Sequence, residues 1–388
     1  MKNTILQFLI SLLTISSITA QTYDPLIQDK INELSYDSLF LNLQEFEDLG
    51  IKNIYSEELK EAAYWIINKY EYWGYDNIVI DTFEYSGQTL FNIIITKTGT
   101  LYPNQFVIID GHYDTYNGPG INDNGTGTAI VLETARMMKD MQTDYSVRFI
   151  HFSAEEVGLV GSFHYVENTV VPEDLDIHLV FNIDEVGGVA GEVNNTLTCE
   201  RDEAFPNTNN AVSAAITDTL ANLTEMYSSL IANISYAYGS DYVPFMNAGY
   251  VVTGFYEYNE SPYPHSINDS ISNIDLDYVF EVTKSSLAAS IYFTGAKDTN
   301  TGVSSNSIHD NDINIYPIPF ETSFTIDNTH DENLILSLFD VQGRELEKVR
   351  LKKNSPNQIK PGNDKNIYFY IISDEDGNQY DSGKILKL

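Results

Sequence analysis

Residues 105–114 read QFVIIDGHYD, a short apolar run that ends abruptly in glycine, histidine and aspartate. The same change from apolar to polar residues recurs in SVRFIHFSAEE (146–156), HLVFNIDEVG (178–187) and GYVVTGFYEY (249–258). Helical patterns lie between these runs, at residues 127–139 and around 210–233. Apolar strands that alternate with helices predict an α/β fold, a three-layer sandwich with a mostly parallel central sheet.

The polar residues that follow these apolar runs are expected to share one site. In parallel α/β sheets, ligands bind beyond the carboxyl ends of the strands, so residues far apart in the sequence meet there. Upstream, residues 21–75 are predicted to be largely helical, and residues 77–85 and 90–96 to form two further strands.

Composition divides the chain into segments. It has 388 residues, 43% of them hydrophobic, which is enough for a large core and an appended unit. Residues 1–20 have the positive start, apolar run and final alanine of a secretory signal peptide, whereas a membrane anchor needs a longer apolar segment. Polar residues 298–312 predict a linker between a main domain (21–297) and a small C-terminal all-β sandwich (313–388).

Charge and cysteine content exclude several classes of protein. The formal net charge is −35, and nucleic-acid binding is not expected because it needs basic clusters that neutralise phosphates. The acidic surface can attract cationic peptides, or simply keep the protein soluble. No segment after the signal peptide is long and apolar enough to span a membrane. The single cysteine, Cys199, cannot form an intramolecular disulfide and is expected to be a small buried side chain.

Side chains suited to a divalent metal ion follow the predicted strands, since such sites combine histidine with carboxylates. They are His112, Asp123, the pair Glu155 and Glu156, Asp184 and His265. Asp114 is spaced to orient His112 or a neighbouring group. Singly, each signal is weak, because a structural histidine or an Asx turn that caps a helix at Asp123 explains it as well.

The adjacent glutamates are the most informative of these positions. Neighbouring side chains in an extended segment point in opposite directions, so one of Glu155 and Glu156 can bind a metal while the other faces a water molecule. Two carboxylates beside an apolar strand are unfavourable unless a cation compensates them. A solvated loop is the alternative, which the glycines around this segment disfavour.

In this order, the motifs resemble those of the co-catalytic di-zinc aminopeptidase family, which has the phosphorylase/hydrolase-like α/β fold. The resemblance covers about residues 35–297, and SDYVPF at 240–245 is similar to the SDHxPF motif of the family. The chain departs from that motif at Tyr242, where the family has histidine. The resemblance implies that Asp123 bridges two zinc ions. His112 and Asp184 then complete one zinc site, and Glu156 and His265 complete the other.

The resemblance also implies the reaction. Two zinc ions activate a water molecule and polarise the scissile carbonyl. Glu155 acts as the general base and passes a proton to the leaving amine. Asp114 and Asp241 support the site without binding metal, and a tyrosine, Tyr238 or Tyr236, assists the carbonyl. The implied activity is removal of the N-terminal residue from peptides or proteins.

The C-terminal segment resembles the sorting domain that the type IX secretion machinery recognises. The matching motifs are INIYPIPFETSFTI (313–326), LFDVQGREL (338–346) and the strand-rich end of the chain. Pro317-Ile318-Pro319 departs from the usual proline-asparagine-proline. The resemblance implies export to the medium or the cell surface, and a substrate-binding or adhesive β-module is the alternative.

Three rival functions fit parts of the pattern. Glutaminyl cyclase shares the fold but uses one zinc ion. A carboxypeptidase of related fold would need a basic clamp for the substrate carboxylate, which is not visible in the sequence. A non-catalytic binding protein on this scaffold would be expected to have lost ligands. The complete set of ligands favours a secreted zinc aminopeptidase.

Overall fold

The described part of the computed structural model falls into two compact units, one ending at Thr299 and one starting at Asn300. The residues described are 23–237, 239–299, 313–316, 320, 322–329, 332–339, 344–361, 367–374 and 379–387. The expected signal peptide, residues 1–20, lies outside them. Within these ranges, no helix combines the length and apolar character needed to cross a membrane.

The helices of the first unit have caps and buried faces that their sequences explain. α3 begins after Ser56, whose side chain accepts a hydrogen bond from Leu59 N, and it buries residues at helical spacing. α8 begins after Asp275 and ends at Gly295, which has a φ of 61°. The helices are α1 (Pro25–Asn32), α2 (Tyr36–Asp48), α3 (Glu57–Tyr72), α4 (Thr126–Met138), α5 (Val160–Tyr165), α6 (Asn210–Tyr227), α7 (Val243–Asn247) and α8 (Leu276–Thr294).

A large central sheet organises this unit. The strands are β1 (Ile78–Tyr85), β2 (Gln88–Lys97), β3 (Tyr102–His112), β4 (Met141–Gln142), β5 (Tyr145–Phe152), β6 (Asp176–Ile183), β7 (Thr196–Arg201), β8 (Ile231–Tyr236), β9 (Val252–Glu257) and β10 (Lys297–Asp298). All except β4 and β10 join one sheet in the order β1-β2-β5-β3-β6-β9-β7-β8. The central strands β5, β3, β6 and β9 run parallel to one another. The predicted fold class is therefore confirmed.

Both faces of the sheet are covered, because alternate side chains of the central strands enter two different cores. Val107 and Ile109 on β3 pack in one core with Ile130 of α4. Ile108, between them, packs in the other core with Phe245 of α7. This alternation is that of a strand buried on both sides, which explains why the apolar runs are continuous.

The structure corrects one detail of the sequence interpretation. The helix expected around residues 210–233 ends at Tyr227, and residues 231–236 form the edge strand β8. β8 pairs with β7, and this contact cannot be predicted from a local sequence pattern. Gly127 at the start of α4 allows close packing against the end of β6, since a Cβ there would lie 2.2 Å from Ile183 O.

The second unit is built of antiparallel strands, as predicted. They are β11 (Ile313–Tyr316), β12 (Phe324–Asn328), β13 (Leu334–Phe339), β14 (Glu345–Leu351), β15 (Ser355–Ile359), β16 (Ile367–Ser373) and β17 (Gln379–Leu386). They form two sheets, β11-β12-β15 and β14-β13-β16-β17. Every second residue of β13 is buried, namely Leu334, Leu336 and Leu338, so this strand shows the alternation of a half-buried sheet.

Candidate metal centre

Two predicted ligands stand at the ends of neighbouring parallel strands. His112 is the last residue of β3, and Asp184 follows β6 directly. Because these strands are paired in register, His112 Nε2 lies 3.3 Å from Asp184 Oδ1. His112 is 1% exposed and Asp184 is 5% exposed. The sheet itself therefore sets the spacing of these two side chains.

Asp123 lies between the two histidines. It is in the buried turn Ile121–Gly125 that precedes α4. Its Oδ1 is 3.3 Å from His112 Nε2, and its Oδ2 is 3.3 Å from His265 Nε2. The two oxygens of the Asp123 carboxylate therefore face different histidines. A ligand that bridges two metal ions needs this arrangement.

The two adjacent glutamates lie in a turn rather than the extended segment that was expected, and they face different histidines. Glu156 Oε2 lies 2.8 Å from His265 Nε2, whereas Glu155 Oε2 lies 3.9 Å from His112 Nε2. Asp114 holds the backbone of both, since its Oδ1 accepts from Glu155 N at 3.0 Å and its Oδ2 from Glu156 N at 3.3 Å. His112 Nδ1 lies 3.1 Å from the backbone oxygen of Asp114, which is closer to it than the side-chain carboxylate of Asp114.

His265 differs from His112 in its support. It lies on the loop after β9, with a φ of 58°. Its side chain is 54% exposed, and the ring of Tyr116 lies 5.3 Å from its own ring. Two groups of possible ligands result: a strand-held cluster of His112, Asp123 and Asp184, and a loop-held cluster of Asp123, Glu156 and His265.

The segment SDYVPF reaches the site from the other side of the sheet. Ser240 Oγ donates a hydrogen bond of 2.6 Å to Asp184 Oδ2. Asp241 is fully buried, and its carboxylate interacts with the charges of His112 and Asp184. Tyr242, at the position where the resembled family has histidine, is buried in the core with Phe245. Tyr238, the possible carbonyl stabiliser, lies outside the described residues.

The crowding of acids shifts their pKa values. Burial, and next the charge of Asp123, raise the pKa of Glu156 to about 10. Burial raises the pKa of Glu155 well above its usual value. Burial opposes ionisation of Asp123, but the imidazoles of His112 and His265 next to its carboxylate lower its pKa to about 2. Several acids in one buried space create a strong preference for positive charge.

The side chains present fit a divalent metal ion. Three buried atoms in this space, His112 Nε2, Glu156 Oε1 and Asp184 Oδ1, make no hydrogen bond within the described residues. Tetrahedral zinc with bonds of about 2.0–2.2 Å separates its ligand atoms by about 3.3–3.6 Å. The separations of 3.3 Å between histidine nitrogens and carboxylate oxygens match this value. Each cluster offers three protein ligands, the number found in catalytic zinc sites.

Two further features of the site were not predicted from the sequence. Ser240 was noted only as part of a motif, and its contact with Asp184 depends on the fold. Glu185 follows Asp184 and belongs to neither cluster, and burial, then the charges of Asp123 and Asp184, raise its pKa to about 10. The sequence signal for Glu185 was a second acid directly after a candidate ligand at the end of a strand.

A cavity of about 220 Å³ opens beside Glu156, lined also by Ile54, Tyr55 and Tyr116.

Comparison with known proteins places both units in families. The model of peptidase family M28 matches residues 92–290, and the model of the secretion system C-terminal sorting domain matches residues 314–386. The curated aminopeptidase YwaD of Bacillus subtilis is 34% identical over 197 residues, which cover 49% of this chain and 42% of YwaD. The chain thus spans less than half the length of that relative.

Solved structures share the fold. The LapA aminopeptidase of Legionella pneumophila superimposes with a TM-score of 0.63 and 19% identity, covering 76% of this chain and 80% of LapA. A glutaminyl cyclase of Bacteroides thetaiotaomicron bound to N-acetylhistamine gives a TM-score of 0.55 with 18% identity, covering 66% of this chain and 97% of the cyclase. At these identities the similarity concerns the fold, which an aminopeptidase and a cyclase have in common.

Proposed function

The chain belongs to peptidase family M28, and from that premise we propose that it is a zinc aminopeptidase that removes N-terminal residues from peptides. The observation that carries the proposal is the pair of three-ligand clusters that share Asp123. A shared carboxylate with one oxygen toward each histidine supports a centre of two zinc ions rather than one. The donors are imidazole nitrogens and carboxylate oxygens, which zinc accepts readily.

Each proposed ligand has a defined support in the chain. His112 is held by β3 and by the backbone oxygen of Asp114. Asp184 is held by Ser240. Such outer contacts fix the orientation of ligands and tune their affinity. When bound, two zinc ions would lower the pKa of a water molecule and polarise the scissile carbonyl.

Glu155 is the proposed general base. It belongs to neither cluster, and its Oε2 lies 3.9 Å from His112 Nε2. Its position is fixed because Asp114 accepts a hydrogen bond from its backbone amide. Glu155 takes a proton from the attacking water and gives it to the leaving amine. Asp241, which is buried and interacts with the charge of Asp184, is the proposed supporting residue.

Recognition of a free amine distinguishes an aminopeptidase from other peptidases. Glu185 adds an acid beside both clusters, and neighbouring carboxylates increase its preference for a cation. We assign it to the substrate ammonium group. The cavity of about 220 Å³ beside Glu156 has mixed walls, in which Ile54, Tyr55 and Tyr116 lie among polar residues, and we assign it to a substrate side chain.

We also infer that the protein is exported. The support is the match of residues 314–386 to the secretion system C-terminal sorting domain. On this proposal, residues 21–297 form the peptidase domain, 298–312 the linker and 313–388 the sorting domain that the type IX machinery recognises. A chain that ends near residue 301 should keep its turnover number but stay inside the producing cell. Loss of turnover in that variant would assign a catalytic role to the second unit.

A substrate panel tests the proposed activity. The full chain, loaded with zinc, is incubated with short peptides that carry either a free or an acetylated N-terminus, and products are identified by mass spectrometry. We expect the first residue to be released from the free peptides alone and a chelator to stop the reaction. Internal cleavage or no cleavage contradicts the proposal. Conversion of N-terminal glutamine to pyroglutamate without hydrolysis would instead indicate a glutaminyl cyclase.

A further inference from the structure

Asp269 joins two of the loops that carry the proposed ligands. It is 2% exposed and belongs to neither cluster. Its Oδ1 accepts a hydrogen bond of 2.6 Å from Asn122 N, and its Oδ2 accepts one of 3.0 Å from Asp123 N. Its backbone oxygen accepts a third, of 3.3 Å, from Ile121 N. One residue thus fixes three consecutive amides of the turn that presents Asp123.

Asp269 lies on the same loop as His265, four residues later. Its own amide donates a hydrogen bond of 3.0 Å to Ser266 O, which closes this part of the loop. The loop also touches the segment before Asp123 directly, since a Cβ on Gly118 would come within 1.8 Å of Ser266 O. The distance between Asp123 and His265 therefore depends on contacts between these two segments.

A second buried acid extends the connection to the loop after β6. Asn122 Nδ2 donates to Glu257 Oε1 at 2.9 Å, and Gly188 N donates to Glu257 Oε2 at 2.7 Å. Gly187 N donates to Asn122 Oδ1 at 2.6 Å. Glu257 therefore connects the turn that carries Asp123 to the loop of Asp184. Asp269 connects the same turn to the loop of His265.

We propose that Asp269 is a positioning residue that sets Asp123 against His265 and so determines the metal affinity of the loop-held cluster. The consequence for metal rests on the proposed two-zinc function, whereas the positioning role does not. The strand-held cluster should depend on Asp269 much less. His112 ends a strand, and Asp184 has an independent partner in Ser240.

Asp269→Asn tests this role, because an amide can accept from only one of the two backbone N–H groups and turns its NH₂ toward the other. In zinc titrations of the full chain, we expect the weaker binding step to lose about 10–100-fold in affinity. The tighter step should change much less, and excess zinc should restore kcat. Glu133→Gln is the matched control: Glu133 is a buried acid bonded to Asn42 and Arg136 in the scaffold. It should lower Tm and change neither step.

Unchanged affinity at both steps, or equal weakening of both, would overturn the proposal. Amide hydrogen exchange of the zinc-free chain provides a second test. The amides of Asn122 and Asp123 should be protected in the wild type and exchange faster in Asp269→Asn. Fast exchange in the wild type would refute the positioning role even if the variant failed to fold. If the wild type bound one zinc ion, the two-zinc function would fail, while the exchange result would still decide the role of Asp269.

Discussion

The strand-held and loop-held clusters share Asp123 but are supported in different ways. His112 and Asp184 follow β3 and β6 in the middle of the sheet and are 1% and 5% exposed. His265 lies on a loop, and its side chain is 54% exposed. Sheet register fixes His112 and Asp184, whereas hydrogen bonds between loops fix Asp123 and His265. A parallel sheet thus provides one preformed half of the site and leaves the other half to local contacts.

The largest expected effect separates the two adjacent glutamates. Glu155→Gln keeps the shape of the side chain and removes its basicity, so turnover should fall by about 10²–10⁴-fold, the usual contribution of general acid–base catalysis. Zinc content should stay the same, because Glu155 belongs to neither cluster. Steady-state kinetics and metal analysis of the same preparation provide the measurement.

Glu156→Gln is the matched control for this change. It removes a ligand of the loop-held cluster, so zinc content should fall and added zinc should partly restore turnover. The roles would be reversed if Glu155→Gln lost metal and Glu156→Gln did not. Near wild-type turnover in Glu155→Gln would exclude the proposed hydrolytic mechanism.

Removal of metal should occur in two stages. The loop-held cluster is open to solvent at His265, whereas the strand-held cluster is buried, so a chelator should reach the loop-held ion first. Zinc analysis during dialysis against increasing chelator should show half of the metal leaving at a concentration that retains the other half. Loss of all zinc in a single step would show that the two clusters do not differ in this way.

The positions of His112 and Asp184 in the strand-held cluster can be predicted from short stretches of sequence. An apolar run that ends in a polar residue predicts both the strand and the place of the ligand, and His112 and Asp184 lie at such ends. Asp123 and the glutamates are also candidates from their local patterns, although each signal is weak on its own. The contacts that hold these side chains in place are harder to predict from the sequence, since Asn122 and Asp269 are 147 residues apart and Ser240 and Asp184 are 56 residues apart. Such pairs depend on loop packing, for which the chain has no periodic pattern.

The same limit explains the error near residue 230. The helical pattern of α6 continues into residues that are compatible with either structure, and pairing of β8 with the distant β7 decides the outcome. β propensity depends strongly on such neighbours. The central strands were predicted correctly because burial on both faces makes them continuously apolar.

Ser240→Ala should affect the strand-held cluster and complement the Asp269 variant. Ser240 donates to Asp184 Oδ2, and loss of an outer contact of this kind costs about 10–100-fold in metal affinity or activity. The tighter zinc-binding step should weaken while the other changes less. Equal weakening of both steps would indicate that the clusters behave as one unit, and Ser240→Thr, which keeps the hydroxyl, should preserve most of the affinity.

The smallest effect concerns a buried histidine on the strand that pairs with β3. His151 pairs with Gly111 across β5 and β3, and it lies 2.9 Å from Tyr70 Oη. Burial lowers the pKa of His151 from 6.5 to about 3. The unfolded chain therefore binds the extra proton at this residue below pH 6.5, and the contribution of His151 to stability falls as the pH falls. At pH 5.5 the loss from this residue should be about 1.4 kcal/mol relative to pH 8.

Denaturant unfolding between pH 5 and pH 8 measures this loss. His151→Gln should be less stable at neutral pH but should lose less stability on acidification than the wild type. An identical pH dependence in both proteins would show that His151 is not the group responsible.

Diffraction from crystals of the zinc-loaded chain at the zinc absorption edge tests the two-cluster account most directly. The account predicts two anomalous peaks, one among His112, Asp123 and Asp184 and one among Asp123, Glu156 and His265. Mild chelation of the same crystals should reduce the second peak before the first. A single peak in fully loaded crystals, or peaks away from these residues, would contradict the account.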